Sequence, residues 1–148
     1  MEQKNKILLD FNKVLDEFIE KMILQFPQES KLKSYKSAYN VTKMYDKTMP
    51  IKIAMGGMLP YKDHIKTRNE DFFRNKKTFI DKAVIASSFS NDLGLVNYWA
   101  TLSDVSKIAI WEYIQTLFVL GEMYINNDSN IISSINKIYN NLSFNESL

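Results

Sequence analysis

Asp63 and His64 form the chain's one adjacent carboxylate–imidazole pair, and Glu70 and Asp71 follow closely. Those residue types are what general acid–base chemistry uses. Sequence neighbours on a helix diverge by about 100°, however, so Asp63 is badly placed to orient His64, which is expected to be a surface or structurally satisfied histidine. Glu70 and Asp71 are expected to cap a helix start, where carboxylates accept free backbone N–H groups. With one histidine and no cysteine, thiolate zinc sites, iron–sulfur clusters, disulfides and cysteine nucleophiles are excluded. Gly56-Gly57 lacks the surroundings of a phosphate-cradling loop and reads as a hinge or tight turn. Ser90-Asn91-Asp92 offers too few oxygens for a calcium loop. No catalytic, cofactor-binding or metal-ligating residue is assigned, no cofactor is expected, and the protein is not expected to be an enzyme.

Binding chemistry has more to work with. The net charge of +2 conceals three blocks. Residues 1–30 hold 4 basic and 6 acidic groups, residues 31–82 hold 13 and 5, and residues 83–148 hold 2 and 6. The middle block makes a candidate face for an anionic partner from Lys31, Lys33, Lys36, Lys43, Lys62, Lys66, Arg68, Arg74, Lys76 and Lys77. Tyr35, Tyr39, Tyr45 and Tyr61 are interleaved and offer rings for stacking on bases. The plainer reading is that lysines solvate the outer faces of amphipathic helices. It is preferred because the block is poor in Arg, the usual residue for bidentate phosphate contact. A third reading docks the basic middle on the acidic C-terminal third or on a second subunit. Tyr98 and Trp99 are a candidate aromatic docking patch; the rest of the cluster around Trp111, Tyr113, Phe118 and Tyr124 reads as core.

The elements that must position these groups are helices. Length (148 residues) and a 45% hydrophobic content suit one domain with one core. Leu8, Phe11, Leu15, Phe18, Met22 and Phe26 alternate at three and four and so share a stripe, which Pro27 ends. Ser30 opens a second helix to about Tyr45, with Leu32, Tyr35, Ala38, Val41 or Thr42, and Tyr45 inward. Pro50 suits the first turn of a short helix that Gly56-Gly57 stops, and Pro60 opens another piece through Ile65. Phe72 and Phe73 anchor a turn, and Lys77 to Ser87 reads as a helix. Ser103 caps a long, central helix to about Tyr124, with Ile108, Trp111, Ile114 or Gln115, Phe118 and Gly121 inward and Leu117, Leu120 and Tyr124 widening the stripe. Ile131, Ile135, Ile138 and Leu142 mark a last short helix. Strand signals are poor. The expected fold is all-α: a compact single-domain bundle of five to seven helices. Residues 1–125 form the helical domain, and 126–148 add a short helix and frayed tail packed on it.

Lys, Ile and Asn dominate (17, 16 and 14 residues), a usage that AT-rich coding explains. It also supplies the sequons at Asn40, Asn127, Asn141 and Asn145 without need of glycosylation. The first residues do not read as a signal peptide, and no window approaches the roughly 18 unbroken apolar residues of a membrane span. An intracellular soluble protein is expected.

The run Phe11-Asn12-Lys13-Val14-Leu15-Asp16-Glu17-Phe18 with Phe26-Pro27, the Pro50-led helix, Glu70-Asp71-Phe72-Phe73, and Trp111-Glu112-Tyr113-Ile114-Gln115-Thr116-Leu117 with Met123-Tyr124 resemble a known pattern. It is that of a family of small helical proteins of unknown function from nucleocytoplasmic large DNA viruses of the algal-virus and mimivirus-like groups. The resemblance spans roughly residues 8–125 and rests on core aromatics and caps. It implies no catalytic residue, and it sets the expected place of action in the host cytoplasm or the virion. The expected function is a non-enzymatic viral binding or structural protein acting by protein–protein contact, on a viral or host protein or as an oligomer. The alternative is a nucleic-acid-binding accessory protein using residues 31–82.

Overall fold

The structure is a computed structural model that describes residues 2–74 and 99–128, apart from the side chains of Lys31, Phe73 and Arg74. Its elements are α1 (Glu2–Gln25), α2 (Ser30–Tyr45), α3 (Met49–Met58), a 3-10 turn (Leu59–Tyr61), α4 (Lys62–Lys66), α5 (Asp71–Arg74), a second 3-10 turn (Trp99–Thr101) and α6 (Asp104–Asn126). All are helical, with no strand among the described residues. Among the described residues four helices, α1, α2, α3 and α6, run ten residues or more, fewer than the five to seven expected of the chain. Between Leu59 and Arg74, Pro60 and short polar links leave only short turns of helix. The expected helices at 77–87 and 131–142 lie outside the described residues.

α1 buries Leu8, Phe11, Leu15, Phe18 and Met22, as their spacing requires, and widens that stripe with Ile7 and Ile19. Its main partner is α6. The two run antiparallel: Lys4 pairs with Asp128 just beyond α6, while Phe18, further along α1, stacks on Tyr113 with centroids 5.1 Å apart. The Ser103 hydroxyl accepts the Ser106 N–H at 3.2 Å, which makes it the N-cap of α6. Trp111, Ile114, Leu117, Phe118, Gly121 and Tyr124 are buried, but so is Ile110, while Ile108 is 49% exposed. The inward stripe is therefore rotated away from Ile108 toward Ile110. α6 is apolar around so much of its circumference that periodicity alone leaves its orientation loose.

α2 carries a larger correction. Leu32 and Tyr39 are buried and Tyr35 is half-buried, whereas Ala38 and Tyr45 face solvent; of the alternatives Val41 and Thr42, Thr42 is half-buried and Val41 is exposed. Tyr39 fixes this orientation because its hydroxyl donates to the Asn12 carbonyl at 3.0 Å. From the other side, Asn12 Nδ2 donates to the Lys47 carbonyl at 3.1 Å. α3 begins as expected with Pro50 in its first turn. It does not stop at Gly56-Gly57, since both glycines are helical and buried, and the helix ends at Met58, just before Pro60. α3 lies against α1, α2 and α6, and α4 lies against α6.

The α4–α5 connection turns without glycine. Arg68 takes φ 53, the left-handed region. The Arg68 N–H bonds the Ile65 carbonyl (3.3 Å) and the Asn69 N–H bonds the His64 carbonyl (2.8 Å). That pair of bonds is the Schellman closure, which usually places glycine at this position. α5 is capped by Asn69, whose Oδ1 accepts the Asp71 N–H at 2.9 Å. Glu70, just before α5, accepts from the Trp99 indole N–H at 2.9 Å.

Candidate functional site

The lysines of the middle block divide by what they touch. Lys36 pairs with Glu20, and Lys43 reaches Asp16 at 3.2 Å while standing 4.8 Å over the Tyr39 ring. Lys62 meets Glu122 at 2.9 Å, and that carboxylate raises the lysine's pKa. Arg68 Nε donates to Gln115 Oε1 at 3.0 Å. Lys33 and Lys66 are exposed. Lys76 and Lys77 lie outside the described residues, as do the side chains of Lys31 and Arg74. Each surface pair is worth only about 0–1 kcal/mol, but together they lay positive charge from the middle of the chain against carboxylates of α1 and α6.

The interleaved tyrosines are not a set of stacking platforms. Tyr39 and Tyr61 are buried and Tyr35 is half-buried. Burial, helped by the nearby Asp16 carboxylate, pushes the Tyr39 phenol well above its ordinary pKa. Tyr45 alone of the four presents its ring, at 89% exposure. It sits with Met44 (85%) and Val41 (54%) at the C-terminal end of α2. Sequence reasoning does not single out Met44; it leaves the inward position open between Val41 and Thr42, and it places Tyr45 inward. The signal that finds this patch is the competing stripe Leu32, Tyr35, Tyr39 and Thr42, which turns Val41, Met44 and Tyr45 outward.

Trp99 is a correction of another kind. It is 1% exposed, so it belongs to the core and offers no docking surface; Tyr98 lies outside the described residues. Its indole N–H donates to Glu70 Oε1 at 2.9 Å, and its ring meets Trp111 edge-on at 5.8 Å. Trp111 in turn lies 6.1 Å from Phe72, which meets Tyr61 at 5.7 Å. The same glutamate reaches Lys107 at 3.5 Å.

His64 stands edge-on to Tyr61 at 5.7 Å. Asp63 is exposed. Among the described residues, two of the cavities lie elsewhere. One, about 120 Å³, separates α1 from α6 between Phe18, Met22, Ala109 and Ile110, with Lys21, Gln25, Ser106 and Tyr113 also lining it. The other, about 520 Å³, is an open groove along α6 at Glu112, Gln115, Thr116, Val119 and Leu120. Neither brings His64 to a carboxylate. Among the described residues no group of three or more His, Asp or Glu side chains could hold a metal ion, and no helix is long and apolar enough to cross a membrane. The arrangement that remains is a surface feature: an apolar, aromatic-bearing face on a helix flanked by lysines. No family model, curated protein or solved structure matches the chain.

Proposed function

We propose that this is a binding protein that acts by contact with another protein and performs no catalysis. The observation that carries the reading is the cluster Val41, Met44 and Tyr45, three large side chains turned to solvent on α2, Val41 one turn before the adjacent Met44 and Tyr45. Grouped exposure of this kind, an aromatic included, is characteristic of protein interaction sites, whereas apolar residues scattered singly are ordinary surface. The lysines support the same reading. Lys36, Lys43 and Lys62 answer carboxylates of the chain itself, which leaves less free charge for phosphates than the sequence suggested. The setting implied by the sequence resemblance, an infected cell or the virion of a large DNA virus, is part of this proposal.

Affinity capture of the tagged protein from the cells that make it, with and without nuclease and read by mass spectrometry, tests it. A protein partner retained after nuclease treatment, and lost on Met44→Asp, is the expected result. Partners that all vanish with nuclease would instead assign the protein to nucleic acid.

A further inference from the structure

We infer that the outer face of α2 receives an acidic amphipathic helix of the partner protein, a conclusion that rests on the protein-contact reading above and specifies it. α2 has two uncharged stripes. Leu32, Tyr35, Tyr39 and Thr42 turn into the fold, and on the opposite side Ser34, Ser37, Ala38, Val41, Met44 and Tyr45 turn outward. The outward positions recur at three and four residues, the spacing at which one helix receives another. Serines and alanine at one end admit close approach, and the large apolar residues at the other supply the area. The stripe is about 17 Å long at 1.5 Å per residue, three turns of helix.

Charge selects the occupant. Residues 30–52 contain six lysines and one carboxylate, Asp46. Asp46 is engaged locally, accepting from the Thr48 N–H at 2.9 Å and the Thr48 hydroxyl at 2.6 Å. Glu20 and Asp16 of α1 answer Lys36 and Lys43. The positive excess stays beside the stripe, with Lys33 and Lys47 exposed. A second copy of the chain would set α2 on α2, lysine against lysine, because this helix contains no carboxylate at all. A nucleic-acid backbone needs cations where this face is apolar. A helix with an apolar stripe bordered by Glu or Asp satisfies both halves of the surface.

The test uses the full chain and two fluorescein-labelled, lactam-bridged peptide helices sharing one leucine stripe, bordered by Glu in one and by Lys in the other. Anisotropy titrations at low and high salt are expected to show the Glu peptide binding about tenfold or more tighter than the Lys peptide, with the gap narrowing as salt rises. Met44→Asp should weaken that binding by about tenfold or more, the combined effect of removing a large apolar contact and placing a like charge against the Glu peptide. Lys33→Glu should erase much of the preference while leaving the apolar contact. Met44 and Lys33 are exposed, and circular dichroism verifies that both variants are folded. Equal affinity for the two peptides, or binding of neither, overturns the acidic-helix assignment. If nuclease-resistant capture persists in that case, the protein-contact reading survives with a different partner chemistry; if it is absent too, both fall. A concentration-dependent dimer in sedimentation that Met44→Asp abolishes overturns the inference in favour of a second copy. Displacement of the Glu peptide by duplex DNA overturns it in favour of nucleic acid.

Discussion

Met55 of α3 occupies the space that a side chain at Gly121 of α6 would need. A Cβ added to Gly121 would stand 2.8 Å from Met55 Cγ and 2.9 Å from Cε, with the sulfur nearer still. Met55 is wholly buried, so although its chain is flexible it has little room to retreat. Alanine improves a helix interior over glycine by about 1 kcal/mol, while overpacking costs about 1–3 kcal/mol. Gly121→Ala is therefore expected to destabilise by about 1 kcal/mol in urea unfolding. In a Met55→Ala background the same change should become stabilising, because the space is open and the helix gain remains. Strict additivity of the two substitutions would show that the residues do not share this space.

Arg68 gives a prediction whose sign depends on the backbone. A non-glycine residue in the left-handed region costs roughly 1–2 kcal/mol, and here the side chain offsets part of that through its bond to Gln115. Gln115 also donates to the Ile65 carbonyl at 3.0 Å, so the two side chains help close the end of α4. Arg68→Ala keeps the backbone cost and loses the bond; Arg68→Gly loses both. Glycine should thus be the more stable variant by about 1 kcal/mol. Finding alanine equal to or better than glycine in paired denaturant titrations would contradict the left-handed turn.

Glu70→Ala leaves the buried indole N–H of Trp99 without its carboxylate. That cost is expected at about 1–3 kcal/mol. Glu70→Gln retains an acceptor oxygen and should cost less than half as much, losing mainly the contact with Lys107. Thermal unfolding ranks the three proteins, and tryptophan emission should report the change at Trp99. Equal losses for Ala and Gln would place the energy in the ion pair rather than the hydrogen bond.

Acid stability carries a signature of Asp46. The Thr48 hydroxyl and N–H hold its carboxyl below the usual carboxylate range. A group depressed in the folded state contributes stability that is complete above its unfolded pKa, near 3.9, and is lost as pH falls through the lower folded value. Asp46→Asn should therefore flatten the loss of stability below about pH 4 while lowering stability at neutral pH. The side chain is largely solvated, so the effect is a small one. Parallel acid limbs for the two proteins would remove Asp46 from the account.

α1 was legible because its large apolar residues make only one good stripe and Pro27 marks its end. The start of α6 was legible from Ser103, since hydroxyl capping is local chemistry. Orientation was harder wherever a helix offered two stripes. In α2 the choice between Tyr39 inward and Val41 with Tyr45 inward is made by the Asn12 carbonyl, 27 residues away in sequence. The candidate face was hidden for the same reason: its residues look like core until a distant partner turns them out. Gly56-Gly57 misled because a propensity penalty of about 1 kcal/mol per glycine is smaller than what packing of α3 on three neighbours returns. Trp99 and Glu70 belong to a contact between segments 29 residues apart, and no local pattern encodes it.

The ion pairs that join α1, α2, α4 and α6 have a consequence for the chain before it folds. With positive charge concentrated in the middle and negative charge at both ends, the unfolded polypeptide is a blocky polyampholyte. Opposite blocks attract over about 10 Å at moderate ionic strength, so the denatured coil is drawn together by the same segments that α1, α2, α4 and α6 later bring into register. Salt swells that coil as it weakens the native pairs. Stability measured against salt therefore compares two compact states, and a shallow dependence would conceal two larger effects that cancel.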